Sequence, residues 1–284
     1  MKISIFGLGY VGCVSAACLA TDGHHVVGVD VLPTKVDLIN AARSPIVEPG
    51  LEEMIARSVS SGRLSATTDG IEAVLRTDLS FVCVGTPSTA NGVLDLQYVE
   101  RVSADIGRAL RQKDSYHLVV LRSTMLPGSM QETVVPTLGQ VSGRQVGVDY
   151  GLAYNPEFLR EGSAVADFFE PPRTVIGEFD QQSGDMVAEV YADLNAPLIR
   201  TDIKLAEMVK YADNSFHALK IAFANEIGVL GGAEGVDSRR LMDIFCQDTK
   251  LNISPAYLRP GYAFGGSCLP KDLRALTHRA VSYT

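Results

Sequence analysis

Residues 7–12 read Gly7-Leu8-Gly9-Tyr10-Val11-Gly12, and with their neighbours they constrain the fold more than any other stretch. An apolar strand at residues 2–6 leads into the glycines, and a small-residue helix through Ala16-Ala17-Cys18-Leu19-Ala20 follows. A second strand, His25-Val26-Val27-Gly28-Val29, then closes on Asp30. Strand, glycine turn, helix and strand ending in an acid make a βαβ unit of the length that dinucleotide binding requires. Each glycine has its own task. Gly7 permits the tight turn, Gly9 lets backbone approach a pyrophosphate, and Gly12 lets the helix pack close. The helix N-terminus at Tyr10 and Val11 faces the anion. Asp30 would accept hydrogen bonds from the adenosine ribose hydroxyls and repel a 2′-phosphate. The next residues, Val31 and Leu32, are not basic, so NAD is expected rather than NADP. Lys35 is placed to flank the ribose or a phosphate.

Further strands are expected at Leu79–Gly85, His117–Arg122, Asp149–Tyr154 and Thr174–Gly177, separated by helical patterns such as Leu96–Leu110. That alternation predicts an α/β chain with a Rossmann-like, doubly wound, mostly parallel sheet over residues 1–200. Ligands of such sheets sit outside the carboxyl ends of the strands. Thr86, after Val84-Gly85, and Thr124, after Arg122-Ser123, are therefore candidates for touching NAD or ordering a water; ordinary turn chemistry is the plainer reading.

After Pro197 the pattern changes to a helical region, residues 201–284, expected to carry one long helix from Asp202 to about Gly231, ended by Gly231-Gly232. A shorter helix, Ser238–Phe245, follows with Asp237 or Ser238 as its cap. Lys210, Asn214, His217 and Asn225 fall within about 80° of one another on the long helix. A solvated amphipathic face is one account of that stripe. One cation with two amides and an imidazole is also a hydrogen-bonding inventory suited to a sugar. Met208, Val209, Ala212, Phe216, Leu219, Ile221, Ala222 and Phe223 beside it make much of the helix look buried, either in a dimer or against the chain's own domains.

The formal net charge of −8 argues against a nucleic-acid partner or an anionic membrane surface. No apolar run reaches the ~20 residues of a membrane span, and the N-terminus reads as a strand rather than a signal peptide. Five cysteines without a CxxC suggest neither a disulfide framework nor a metal site, and a reduced, cytoplasmic protein is expected. Cys13, Cys18, Cys83 and Cys246 sit in apolar context and read as small buried hydrophobes.

Cys268 is different. It lies in Gly265-Gly266-Ser267-Cys268-Leu269-Pro270-Lys271-Asp272. Pro270 suits the first turn of a helix, so the thiol would stand just outside a helix N-terminus, where the dipole and Lys271 favour thiolate. Moving a single hydride needs no nucleophilic thiol; carrying an alcohol through to an acid does.

Together these residues resemble the UDP-glucose/GDP-mannose dehydrogenase family across the whole chain. The matching motifs are Gly7–Gly12 with Asp30, Ser44-Pro45-Ile46-Val47-Glu48-Pro49-Gly50-Leu51, Val84-Gly85-Thr86-Pro87 and Arg122-Ser123-Thr124. Asn155-Pro156-Glu157-Phe158-Leu159-Arg160-Glu161-Gly162, Lys210 with Asn214, and Phe264–Asp272 complete them. Arg259-Pro260-Gly261-Tyr262-Ala263-Phe264 looks like the branch that oxidises GDP-mannose in alginate synthesis; UDP-glucose is the alternative substrate. The resemblance implies a four-electron oxidation of a nucleotide sugar at C6 through a Cys268 thiohemiacetal and thioester. It implies oxyanion stabilisation by Lys210 and Asn214, a hydrolytic water ordered by Asp272 and Thr124, and substrate contact or proton transfer by Glu161. His217, Asn225, Tyr257, Arg259 and Gly265 would bind sugar and pyrophosphate, with Lys271 near NAD; the apolar long helix itself invites pairing of two copies.

Two departures stand out. Ala256 occupies a position where an aromatic is expected, and the family's C-terminal nucleotide-sugar-binding domain is absent from these 284 residues. A single-step β-hydroxyacid dehydrogenase, which would not need Cys268, and an inactive NAD-binding fragment are the competing readings.

Overall fold

The computed structural model describes residues 1–89, 91–254, 271, 273, 274, 277 and 278. Its first unit runs from Met1 to Ala212 and its second from Asp213 onward. The expected βαβ unit opens the first: β1 (Lys2–Phe6), α1 (Tyr10–Thr21) and β2 (His25–Val29). Then come α2 (Pro33–Asn40), α3 (Leu51–Ser60), β3 (Leu64–Thr67), α4 (Gly70–Leu75) and β4 (Leu79–Val82). After α5 (Gln97–Gln112) and β5 (Leu118–Leu121), a π-helical turn, Met130–Val134, leads into α6 (Val135–Ser142). The unit continues with β6 (Gly151–Tyr154), α7 (Ala164–Phe169), β7 (Thr174–Glu178), α8 (Gln181–Val190) and β8 (Leu198–Asp202).

The eight strands form one sheet in the order β3-β2-β1-β4-β5-β6-β7-β8. All pairings are parallel except β6–β7. The first six follow the doubly wound order, and the direction of winding reverses between β1 and β4, where a crevice opens for a ligand. Successive residues of a strand face opposite sides. Leu118 and Val120 join α1, α3, α7 and α8 in one core, while Val119 and Leu121 join α4, α5 and α6 in the other. Helix α1 is buried from Gly12 to Ala20, which only a run of small and apolar residues permits. As expected, Cys13, Cys18 and Cys83 are buried.

Beneath the sheet, away from the crevice, lies a buried polar network. His117 Nδ1 is 3.1 Å from the Thr77 carbonyl, which can only accept, so the ring carries its proton there. Nε2 then accepts from the Ser80 hydroxyl at 2.8 Å, and Ser80 Oγ lies 2.7 Å from Ser4 Oγ. Lys113 Nζ donates to the carbonyls of Val74, Leu75 and Thr77, capping the end of α4. Burial and then the Lys113 charge push His117 down to about 3 from 6.5. Between these values the unfolded chain binds a proton that the folded chain does not. Stability is therefore complete above pH 6.5 and falls as pH drops toward 3, by at most about 1.4 kcal/mol per pH unit from this group. Urea unfolding from pH 6.5 to 4 is expected to show a shallower loss in His117→Asn than in the parent. Parallel pH profiles would remove His117 from the account.

Helix α9 (Ile203–Ala233) begins in the first unit and continues into the second, which also holds α10 (Ser238–Phe245). Three expectations need correction here. Gly231 and Gly232 lie inside the last turns of α9 rather than ending it. The stop is Gly235, with φ +69°, where Val236 N–H bonds the Gly231 carbonyl and Gly235 N–H the Gly232 carbonyl. This is the Schellman pattern, which needs a left-handed residue at that one position. Secondly, Met208, Phe216, Leu219, Ile221 and Phe223 are exposed in the single chain: its own described residues do not cover them, and the dimer alternative is left standing. Helical spacing alone does not reveal what covers an apolar face. Thirdly, Cys246 is exposed, at the end of a short helix whose residues are not buried. Asp237 rather than Ser238 caps α10, accepting from Arg239 N–H and Arg240 N–H. No helix among the described residues is long and apolar enough to cross a membrane.

Candidate active site

The three fingerprint glycines meet three different demands. Gly7 turns with φ +92°, and its N–H bonds the Val29 carbonyl at 2.7 Å. At Gly12 an added Cβ would lie 1.8 Å from the Gly7 carbonyl oxygen, so α1 touches the turn backbone to backbone. At Gly9 an added Cβ would meet nothing within 4 Å. Gly9 is also the N-cap of α1 and has no side chain to satisfy the first-turn N–H groups. Open space above uncapped N–H groups at a helix start is what a pyrophosphate requires, so these residues fit a dinucleotide.

Asp30, at the end of β2, accepts from Leu8 N–H at 2.8 Å and Leu32 N–H at 3.0 Å. Lys35 Nζ lies 3.3 Å from the same carboxylate. The acid is thus pinned beside the glycine turn, and Lys35 stands next to it as an ion-pair partner.

A cleft of about 270 Å³ joins the expected strand ends. It is lined by Gly9, Tyr10, Val11, Thr86, Thr124 and Glu157, among others. Thr86 Oγ1 donates to the Thr124 carbonyl at 2.7 Å, tying the loops after β4 and β5 together. Arg122, buried below, donates to Asn155 Oδ1 at 2.5 Å and the Tyr191 hydroxyl at 3.0 Å, and Asn155 in turn donates to the Val175 carbonyl. Three strand ends are thereby locked in register behind the cleft.

Sequence reasoning did not single out Glu157. Lys210 Nζ lies 2.8 Å from Glu157 Oε1 and donates to the Glu157 carbonyl at 2.7 Å, and both residues are buried. The ammonium also sits 5.5 Å from the centre of the Phe158 ring. The available signal was an acid three residues beyond the apolar run Gly151–Tyr154, at the carboxyl edge of the sheet. Its partner is 53 residues away, which no local pattern reveals.

Glu161 is exposed, on the turn that follows. That turn is held by Glu48, whose Oε2 accepts from the Tyr10 hydroxyl at 2.5 Å and Gly162 N–H at 2.9 Å, while Oε1 accepts from Ala164 N–H at 2.8 Å. Burial acts to raise the Glu48 pKa, but the Tyr10 hydroxyl and the Gly162 and Ala164 N–H groups outweigh it, and the carboxyl stays below its ordinary range.

In the second unit Asn214, His217 and Asn225 are exposed positions of α9, and Lys271 is an exposed helical residue. Ala256, Tyr257, Arg259, Gly265, Cys268 and Asp272 lie outside the described residues. The structure thus gathers Gly7, Gly9, Tyr10, Val11, Gly12, Asp30, Lys35, Thr86, Thr124 and Lys210 in the first unit, and adds Glu157 to them.

Residues 1–195 match the model of the UDP-glucose/GDP-mannose dehydrogenase family NAD-binding domain, and residues 204–284 match that family's central domain. A GDP-mannose 6-dehydrogenase of Pseudomonas savastanoi pv. phaseolicola is 58% identical over 282 residues, covering 99% of this chain and 64% of that protein. A crystal structure of a ternary complex of GDP-mannose dehydrogenase from Pseudomonas aeruginosa superposes with a TM-score of 0.98. It is 57% identical, over 99% of this chain and 65% of that one. A UDP-glucose dehydrogenase from Pyrobaculum islandicum gives a TM-score of 0.85 at 43% identity, over 99% and 67%. The chain therefore spans a little under two thirds of the length of the curated relatives it matches.

Proposed function

The chain belongs to the UDP-glucose/GDP-mannose dehydrogenase family, and on that premise we propose that it supplies the NAD site and reacting side chains of a nucleotide-sugar 6-dehydrogenase acting on GDP-mannose. The observation that carries this reading is the cleft that joins the glycine fingerprint, Thr86 and Thr124 to Glu157, to which the Lys210 ammonium is bonded. Closer identity to GDP-mannose than to UDP-glucose enzymes, 58% against 43%, supports the choice of sugar nucleotide.

The reaction takes a primary alcohol to a carboxylate. NAD, when bound, accepts one hydride in each of the two oxidations. Lys210 and Asn214, one turn apart on α9, hold the oxygen on C6 as it gains negative charge, in a position fixed for the ammonium by Glu157. Once the alcohol has lost a proton and a hydride, the Cys268 sulfur adds to the aldehyde carbon, forming a C–S bond. The carbonyl oxygen takes up a proton to give a thiohemiacetal, and loss of that hydroxyl proton with the second hydride leaves a thioester. A water ordered by Asp272 and Thr124 attacks the acyl carbon, the C–S bond breaks, the thiol is regenerated and the uronate leaves. Glu161, His217, Asn225, Tyr257, Arg259 and Gly265 hold the sugar and its pyrophosphate, and Lys271 lies near NAD. The step needs a reduced thiol, which suits the cytoplasm, and the product is an alginate precursor. Pairing of two copies through α9 would cover its exposed Leu219, Ile221 and Phe223.

The test is NADH formation from purified protein with NAD and either GDP-mannose or UDP-glucose. Faster turnover of GDP-mannose, by about tenfold or more, is expected. A preference for UDP-glucose overturns the substrate assignment. No NADH from either sugar, with NAD still bound, supports the second reading, an NAD-binding portion without turnover.

A further inference from the structure

Three remote segments meet at one buried carboxylate. Tyr10 is in the first turn of α1, where the fingerprint meets phosphate; its hydroxyl is bonded to Glu48 and lies 3.3 Å from the Arg160 carbonyl. Glu48 comes from the loop before α3, and 114 and 116 residues further on it receives the N–H groups of Gly162 and Ala164. Between those amides and Arg160 stands Glu161, the exposed residue that the proposed reaction sets against the sugar. The turn's other end is fixed independently, because Arg160 is bonded through its N–H and guanidinium to Asp167. Gly162 has φ +87°, so the turn takes a shape that few other residues adopt unaided. A carboxylate with three donors has little freedom: moving one donor moves the others or breaks a charge-assisted bond.

We propose that Glu48 is a positioning residue, coupling cofactor occupancy at the fingerprint to the turn that carries Glu161. A dinucleotide that fixes the backbone of residues 10 and 11 also fixes the Tyr10 ring. The phenol then holds the Glu48 carboxylate, and the carboxylate holds Gly162 and Ala164. By linkage, a ligand that orders the Glu161 turn tightens NAD by the same factor. A cap on α7 alone would explain the Ala164 bond but not the phenol, which comes from the first turn of α1 and shares Oε2 with the Gly162 N–H. The proposal rests on NAD binding at the fingerprint.

Amide hydrogen exchange across residues 160–165, without NAD and with NAD saturating each variant, tests it. In the parent, NAD is expected to slow exchange at Gly162 and Ala164 by about tenfold. Tyr10→Phe leaves both amides bonded to Glu48 but should abolish their response to NAD. Glu48→Gln should abolish the response and also speed exchange in the absence of NAD. Full NAD-dependent protection in Tyr10→Phe, or amides indifferent to NAD in the parent, overturns the coupling. So does a Tyr10→Phe variant whose exchange rises equally throughout α1 and α7 with and without NAD, since the phenol then only stabilises the fold. If the parent gave no NAD-binding isotherm, the cofactor reading itself would fall and the coupling with it, an outcome distinct from binding without protection.

Discussion

Replacing Gly12 with alanine is expected to raise the Kd for NAD more than about 100-fold, a loss of roughly 3 kcal/mol, and to lower Tm as well. The added Cβ would stand 1.8 Å from the Gly7 carbonyl oxygen and 3.0 Å from its carbon. Both atoms are backbone, so no side chain can swing aside. The start of α1 would have to lift from the turn, taking with it the N–H groups that face the pyrophosphate. Gly9→Ala is the informative control. Its Cβ meets nothing within 4 Å, and at φ −78° alanine is comfortable there. That variant should fold as the parent does yet bind NAD weakly, because its methyl group enters the space the phosphates need. Calorimetric titration and thermal unfolding of the two variants separate the roles. Equal Tm losses, or a Gly12→Ala protein that binds NAD like the parent, would contradict this division of labour.

The second large effect is at Lys210. Lys210→Ala strands the Glu157 carboxylate, buried and deprived of its ion-pair partner, which costs about 3–5 kcal/mol when one member of a buried pair is removed. The same change takes away the cation assigned to the developing alkoxide. Stability and turnover should therefore fall together in the single variant. Adding Glu157→Gln removes the unpaired charge, and the double variant should regain much of the stability without regaining turnover. Chemical denaturation reads the first quantity and NADH production the second. A Lys210→Ala protein as stable as the parent would mean that solvent already screens the pair.

Much of this was legible because it is local. The βαβ unit is written in contiguous residues, and the strands expected at Leu79–Gly85 and His117–Arg122 are present, although β4 stops at Val82, three residues early, and β5 at Leu121, one residue early. The missed strands, β3 with Leu64-Ser65-Ala66-Thr67 and β8 with Leu198-Ile199-Arg200-Thr201-Asp202, are short and mixed in polarity. They gain strand character only from pairing with β2 and β7. The stop of α9 was misplaced because two adjacent glycines look stronger than one, whereas the Schellman bond needs a single left-handed residue at 235. The site divides the same way. Fingerprint glycines, Asp30 and the strand-end threonines can be read in sequence. The Glu157–Lys210 pair and the Glu48 clasp join residues 38 to 116 positions apart, and only the fold brings them together.

The most direct test of a thiol-dependent double oxidation is the amount of NADH formed per sugar consumed. With limiting GDP-mannose and excess NAD, the account predicts two NADH per sugar and a uronate product, and predicts that Cys268→Ser gives neither. One NADH per sugar in the parent, or two per sugar in Cys268→Ser, would contradict it.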